Sequence, residues 1–393
     1  MVAELLLFRG DDRKSALAAP ANEGAAPVQV AVVVRDAEDR KRKLALAHQG
    51  KAHSSGVFLA SAEPRGKVAL LFPGQGSQRV GMLRGLFDAY PELDPVLALG
   101  ARWQGIMYPP AAATPEDEAA QKAALTDTRA AQPALGVAGL AMAKLLQRHG
   151  VEPNMLAGHS YGELVALCIA GALPEPSLLE LSELRGRRIL ESTAHAQDPG
   201  TMAAVAADPA TTALHLTGLE GVVIANENSP EQSVISGPTL GVQQAVERFL
   251  AASIAAQPIP VACAFHSTLV QDACEAFARD LATVDVRPLA LPVYSNTTAA
   301  MYPGEPDAIR ARLAEHIGKP VRFVQEIEAM YADGARVFVE AGPGRVLTGL
   351  VGRILGKRPH AAIACDRPNE DGVFAFLLAL GQLAVRGVPV KAG

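Results

Sequence analysis

Cysteine is scarce in this 393-residue chain, and its four copies, Cys168, Cys263, Cys274 and Cys365, form no Cys-x-x-Cys pair or His/Cys cluster at ligand spacing. A disulfide framework and a zinc site are thereby excluded, and the four read as small buried hydrophobes. No apolar run is long enough to cross a bilayer. The N-terminal Met1–Lys14 stretch is too short in apolar residues and has the wrong charge order for a secretory leader, so a cytoplasmic protein is expected. Charge of one sign is not in excess either: the net charge is −5, and no basic face is built up for nucleic acid. Internal repeats and low-complexity tracts are absent beyond a richness in alanine. What the chain does have is apolar bulk, 49% hydrophobic residues, enough for one large core with smaller satellites.

The pattern along the chain divides accordingly. Residues 1–66 read as a small α/β adaptor: a strand over Glu4 to Phe8, a polar Ala/Pro-rich loop, a strand over Val28 to Val34 and a charged helix from Asp36 to Ala47. From Val68 an apolar run stops abruptly at Pro73-Gly74-Gln75-Gly76, as a buried parallel strand does when it ends in a functional loop. A long amphipathic helix from about Arg129 to His149 follows, then a short strand from Asn154 to Ala157. Gly158-His159-Ser160-Tyr161-Gly162 leads from that strand into another helix, and Pro176 opens a helix reaching Thr193. Between Thr201 and Ala262 the texture changes to short strands with one helix, β-β-β-α-β, an inserted subdomain. The larger pattern then resumes with a strand at Leu291 to Tyr294, helices from Asp307 and Val324, and a strand from Arg336 to Val339. The loop Ala341-Gly342-Pro343-Gly344 opens a last helix.

Within this frame one pentapeptide carries chemistry. A serine on a strand-to-helix turn needs small flanking residues two places either side, which Gly158 and Gly162 supply. The turn pushes the Ser160 hydroxyl out of the sheet and puts the Tyr161 N–H at a helix N-terminus, where an oxyanion is stabilised. A serine needs a base, and His266, at the boundary between the inserted subdomain and the larger one, is placed where clefts form. A histidine there also serves as ordinary packing, and no acid lies near Ser295-Asn296 to orient it, leaving a backbone carbonyl as the substitute. Arg185, in Leu184-Arg185-Gly186-Arg187-Arg188, can hold a carboxylate through two parallel hydrogen bonds; three arginines so close also describe a solvated face. Gln75 offers a second backbone N–H to an oxyanion or sits in an ordinary Gly-rich turn.

Four motifs then occur in order: Phe72-Pro73-Gly74-Gln75-Gly76-Ser77-Gln78, Gly158-His159-Ser160-Tyr161-Gly162-Glu163, Ala264-Phe265-His266-Ser267 and Glu340-Ala341-Gly342-Pro343-Gly344. Together they resemble malonyl-CoA:acyl-carrier-protein transacylases and the acyltransferase domains of type I polyketide synthases, from about Lys67 to the C-terminus. The resemblance implies an α/β, hydrolase-like core with a parallel sheet (67–198 and 265–393) and an inserted ferredoxin-like subdomain (199–264). It implies Ser160 as nucleophile, His266 as base, Arg185 as anchor of the malonyl carboxylate, Gln75 with Tyr161 as oxyanion hole, and His159 beside the substrate. The base would be oriented by a backbone carbonyl ahead of Pro320-Val321-Arg322, which points to His316. The partners implied are malonyl-CoA, the phosphopantetheine arm of an acyl carrier protein and a neighbouring ketosynthase, with no metal and no dissociable cofactor.

Residues 1–66 resemble a ketosynthase-to-acyltransferase linker, and Leu380 to Pro389 the segment that follows such domains, so the chain reads as a piece of a longer polypeptide. Tyr161 and the run around it resemble iterative synthases of the enediyne and polyunsaturated fatty acid types. Cys263-Ala264-Phe265-His266 resembles the His-Ala-Phe-His of malonyl-selective members, with Cys263 the departure; Phe265 would crowd an α-methyl group. Two rivals stand beside this reading. A thioesterase or lipase would use the same serine and base but has no use for Arg185, and a silent docking module would need neither.

Overall fold

The computed structural model describes residues 3–60, 65–194 and 196–392. Residues 61–64 of the expected adaptor and residue 195 of the expected 67–198 segment lie outside the described residues. Strands Glu4–Arg9 (β1), Val28–Val34 (β2) and Val57–Leu59 (β3) form an antiparallel sheet in the order β1-β2-β3. The expected polar loop after β1 contains a helix, Arg13–Ala18, because Asp12 and Ser15 cap it reciprocally. Alternation along the strands sends Leu6, Val30 and Val32 to one core and Leu5, Leu7, Ala31 and Val33 to another. The first lies under the helix Ala37–His48, the second under the C-terminal helix Gly372–Ala384, so this sheet is covered on both faces.

The larger unit begins with Lys67–Phe72 (β4) and Met155–Gly158 (β5). The inserted segment contributes Thr201–Val205 (β6), Val223–Ser229 (β7), Gln232–Gly237 (β8) and Ala256–Ile259 (β9). After it come a hairpin, Tyr294–Ser295 (β10) with Ala300–Met301 (β11), and then Ala335–Glu340 (β12) and Ala361–Ala364 (β13). Strands β13-β12-β4-β5 make an all-parallel sheet. Val68, Leu70 and Phe72 of β4 enter the main core while Ala69 and Leu71 enter a second one, which accounts for the unbroken apolar run. The strand expected over Leu291–Tyr294 is only partly formed: Val293 makes a single parallel bridge with Leu156, and Tyr294 opens the short strand β10. Pro292, with no N–H to donate, interrupts the ladder there.

In the insertion the expected β-β-β-α-β order is corrected to β-α-β-β-α-β by the helix Pro209–Leu216, capped by Asp208 with proline at its first position. The antiparallel sheet order β7-β8-β6-β9 is ferredoxin-like. Edge strand β7 is fastened to the larger unit: Val321 N–H donates to Ala225 O, and Glu227 N–H to Val321 O, each at 2.8 Å. Among the described residues no helix is long and apolar enough to cross a membrane. All four cysteines are buried free thiols.

Candidate active site

Strands β4, β5 and β12 all end on the same side of the parallel sheet, the edge where open α/β sheets bind ligands. At the end of β5 the chain must turn from strand into the helix Gly162–Ile169 within a few residues, and Ser160 takes φ = +49° to do so. A left-handed conformation costs a non-glycine residue about 1–3 kcal/mol, and surrounding contacts must impose it. Space is short as well. A Cβ on residue 158 would lie 1.9 Å from the Gly162 carbonyl carbon, and one on residue 162 would lie 2.0 Å from Phe72 O.

The Ser160 hydroxyl lies 2.8 Å from His266 Nε2. His266 Nδ1 lies 2.8 Å from Lys319 O, so Nδ1 carries the proton and Nε2 is left as the acceptor for the serine. This corrects the expectation for His316: the orienting carbonyl belongs to Lys319, three residues later and directly ahead of Pro320. His316 caps the helix Pro306–Glu315, and its own carbonyl accepts the Lys319 N–H at 3.4 Å, closing the turn that projects Lys319 O forward. The His316 ring stands edge-on to that of His266, centroids 5.7 Å apart. Burial first, and the charge of Arg185 second, push the His266 pKa down to about 3, so the ring is neutral at physiological pH.

The three arginines of the Arg185–Arg188 stretch divide between the two readings of a basic cluster. Arg187 and Arg188 pair with Glu183 and Asp280 at the surface. Arg185 is 2% exposed and lines the cleft, and among the described residues no carboxylate lies within 4.0 Å of its guanidinium. Burial lowers its pKa to about 10, which leaves it a cation. Gln75 turns its side chain away, donating to Thr128 Oγ1 at 3.2 Å, and the Tyr161 ring is buried with its hydroxyl 2.7 Å from that of Ser182. Among the described residues neither the Gln75 nor the Tyr161 backbone N–H has a hydrogen-bond acceptor. The two loops touch: a Cβ at Gly74 would meet His159 O at 2.3 Å.

These residues line one cleft of about 310 Å³ between the parallel sheet and the ferredoxin-like insertion. His159 lines it with Nε2 2.8 Å from Asn228 Oδ1, its pKa lowered by burial. Phe265 bridges the main core and Met202 and Val234 of the small sheet, facing the cleft, whereas Cys263 is buried behind it. Two participants escaped the sequence reading. Lys319 acts through a backbone atom, for which only its place before proline is a signal. Asn296 accepts the Ser160 N–H at 2.6 Å from 136 residues away, a contact no local pattern encodes. Chemically, the cleft can take a proton from a hydroxyl and pair one anion.

Fold and cleft together are those of an acyltransferase. The family model for the acyl transferase domain matches residues 69–390, and the chain belongs to that family. It is 33% identical over 351 residues to a phenolphthiocerol synthesis polyketide synthase type I of Mycobacterium marinum, covering 86% of this chain but only 16% of that protein. It is 35% identical to the malonyl CoA-acyl carrier protein transacylase of Bacillus subtilis, covering 77% of this chain and 94% of that enzyme. Among solved structures, the acyltransferase domain from the second module of the salinomycin polyketide synthase superposes with a TM-score of 0.80 at 31% identity. The match covers 92% of this chain and 84% of that one. A malonyl-transacylase in complex with its type II polyketide synthase acyl-carrier protein gives 0.70 at 30%, covering 79% and 99%.

Proposed function

We propose that this chain transfers malonyl groups from malonyl-CoA, through an ester on Ser160, to the phosphopantetheine thiol of an acyl carrier protein in polyketide or polyunsaturated fatty acid assembly. The observation that carries this reading is the buried Arg185 cation, without a carboxylate partner among the described residues, in the same cleft as the Ser160–His266 pair. A cation there suits an acyl group with a carboxylate at its far end, and malonyl is the smallest common one.

In the first half-reaction His266 Nε2 takes the Ser160 proton as Oγ attacks the thioester carbonyl. The oxyanion rests on the N–H groups of Gln75 and Tyr161. When the carbonyl re-forms, the C–S bond breaks and the departing coenzyme A sulfur receives the proton from His266. In the second half the carrier thiol gives His266 its proton, attacks the seryl ester and expels Ser160 Oγ, which recovers that proton. Arg185 holds the malonyl carboxylate throughout, with His159 beside the substrate. Phe265 crowds the α-carbon, so methylmalonyl is disfavoured about 10- to 200-fold, the range one methyl group commands. Residues 1–66 serve as the linker toward a ketosynthase in a longer cytoplasmic synthase, 67–198 with 265–393 as the large acyl-transfer subdomain, and 199–264 as the small ferredoxin-like subdomain.

The test is intact-protein mass spectrometry after brief exposure to equal malonyl-, methylmalonyl- and acetyl-CoA, with Ser160→Ala in parallel. A malonyl adduct on the parent and none on the variant is expected. Rapid release of free coenzyme A without an adduct would make the protein a hydrolase, and no reaction at all would leave a docking module.

A further inference from the structure

Behind the cleft lies a buried polar cluster that the transfer chemistry does not use: Glu163, Asn296, Tyr302, His316 and Glu326. Its centre is Asn296, fully buried on the loop after β10. The amide Oδ1 accepts the Ser160 N–H at 2.6 Å, and Nδ2 donates to Gly158 O at 2.7 Å and to Glu326 Oε2 at 2.8 Å. One side chain thus grips the backbone on both sides of the strained turn that presents the nucleophile. The Asn296 backbone is occupied too. Its N–H donates to Glu163 Oε1, while its carbonyl accepts the Arg322 N–H at 3.1 Å. Arg322 closes the segment Lys319-Pro320-Val321-Arg322, whose first carbonyl orients His266.

We propose that Asn296 is the positioning residue that sets the nucleophile turn in register with the loop orienting the base, with Glu326 holding the amide in its working orientation. The inference rests on the reading of Ser160 as the acylated residue. The two oxygens of Ser160 and Lys319 meet His266 from opposite sides, each at 2.8 Å. Asn296 is tied to both segments, to one by its side chain and to the other by its backbone. An amide is required because the Ser160 N–H needs an acceptor and the Gly158 carbonyl a donor, which a carboxylate cannot both satisfy. Asn296→Asp, nearly isosteric, sets an anion against Gly158 O, and regains a donor to that carbonyl only when protonated.

The experiment measures malonyl loading by Asn296→Asp and Glu326→Leu, with the labelling rate of Ser160 by a fluorophosphonate probe and Ser160→Ala as reference. For Asn296→Asp, kcat falls about 10²-fold, the cost of a small misplacement of reacting groups, with KM for malonyl-CoA unchanged because Arg185 is untouched. Probe labelling slows in step, and both rates recover partly as the pH is lowered, opposite to the loss that protonation of a base causes. Glu326→Leu lowers kcat in the same direction by a smaller factor, and it carries the test if the aspartate variant does not fold. A folded variant of either kind with parental kcat and labelling rate overturns the inference, as does a kcat loss in Asn296→Asp that low pH deepens. If instead Ser160→Ala still acquires the adduct, the failure lies with the reading of Ser160 and not with Asn296.

Discussion

A serine hydroxyl keeps its proton far above neutral pH, so under the proposed mechanism Ser160 becomes nucleophilic only if His266 accepts that proton as the new bond forms. A base whose pKa is held at about 3 is always available but only weakly basic. The second cause of that depression, after burial, is the Arg185 charge, and a substrate carboxylate pairing with Arg185 offsets it. On the proposed reading, a malonyl group paired with Arg185 is expected to raise the proton affinity of His266, and an acetyl group is not. Two outcomes follow at this residue. In ring-nitrogen NMR the His266 imidazole stays neutral as the pH falls through its ordinary value of 6.5, and Arg185→Ala moves its titration upward. A midpoint near 6.5 that ignores the substitution would mean that neither burial nor Arg185 acts on the ring. In steady-state kinetics Arg185→Ala loses about 10- to 100-fold in kcat/KM for malonyl-CoA, the worth of charge-assisted hydrogen bonds of about 1.5–3 kcal/mol, and gains relatively on acetyl-CoA. Equal loss on both substrates would place Arg185 outside carboxylate recognition.

The strand-turn-helix element at Ser160 was legible because its constraint is local: the turn forces glycine at fixed offsets, and the offsets appear in the chain. The same constraint gives a stability contrast. Gly162→Ala pushes a Cβ to 2.0 Å from Phe72 O, a backbone atom that cannot rotate away, so a loss of about 1–3 kcal/mol or more is expected. Gly349→Ala, inside the helix Val346–Leu355 with nothing within 4 Å of its Cβ position, gains about 0.4–1 kcal/mol. Urea unfolding of the two variants reads both signs, and a neutral Gly162→Ala would show that the elbow can relax. Other elements were hidden for equally physical reasons. The helix Pro209–Leu216 carries two threonines, good strand formers, and only the Asp208-Pro209 start argues otherwise. The Lys319 carbonyl has no side chain to announce it, and Asn296 acts across 133 to 138 residues on Glu163, Ser160 and Gly158.

At the scale of the molecule, the alternation in β1 and β2 correctly reads as strand but does not say what covers the sheet. The structure supplies the cover: the helix Gly372–Ala384 shares one core with Leu5, Leu7, Ala31 and Val33, and the Arg35 guanidinium lies 3.8 Å from the centre of its Phe374 ring. Gly381 brings the helix close, its Cβ position 3.0 Å from the Phe58 ring, and Arg9 reaches Val390 O at 3.2 Å. The two ends of the chain are thus fastened together, although the family match begins only at residue 69. Removing residues 1–66 would expose the face of the helix Gly372–Ala384 that carries Phe374 and Gly381; a large apolar side chain is worth about 1.5–3 kcal/mol of burial, against a total stability of about 5–15 kcal/mol for a typical domain. A chain starting at Lys67 is therefore expected to unfold at lower urea concentration, bind a hydrophobic dye and aggregate. Phe374→Ala in the full-length chain is expected to shift the midpoint in the same direction by a smaller amount. If the shortened chain keeps the full-length midpoint and loads malonyl at the parental rate, the adaptor is a passive attachment, and the shared core contributes nothing to the stability of the catalytic unit.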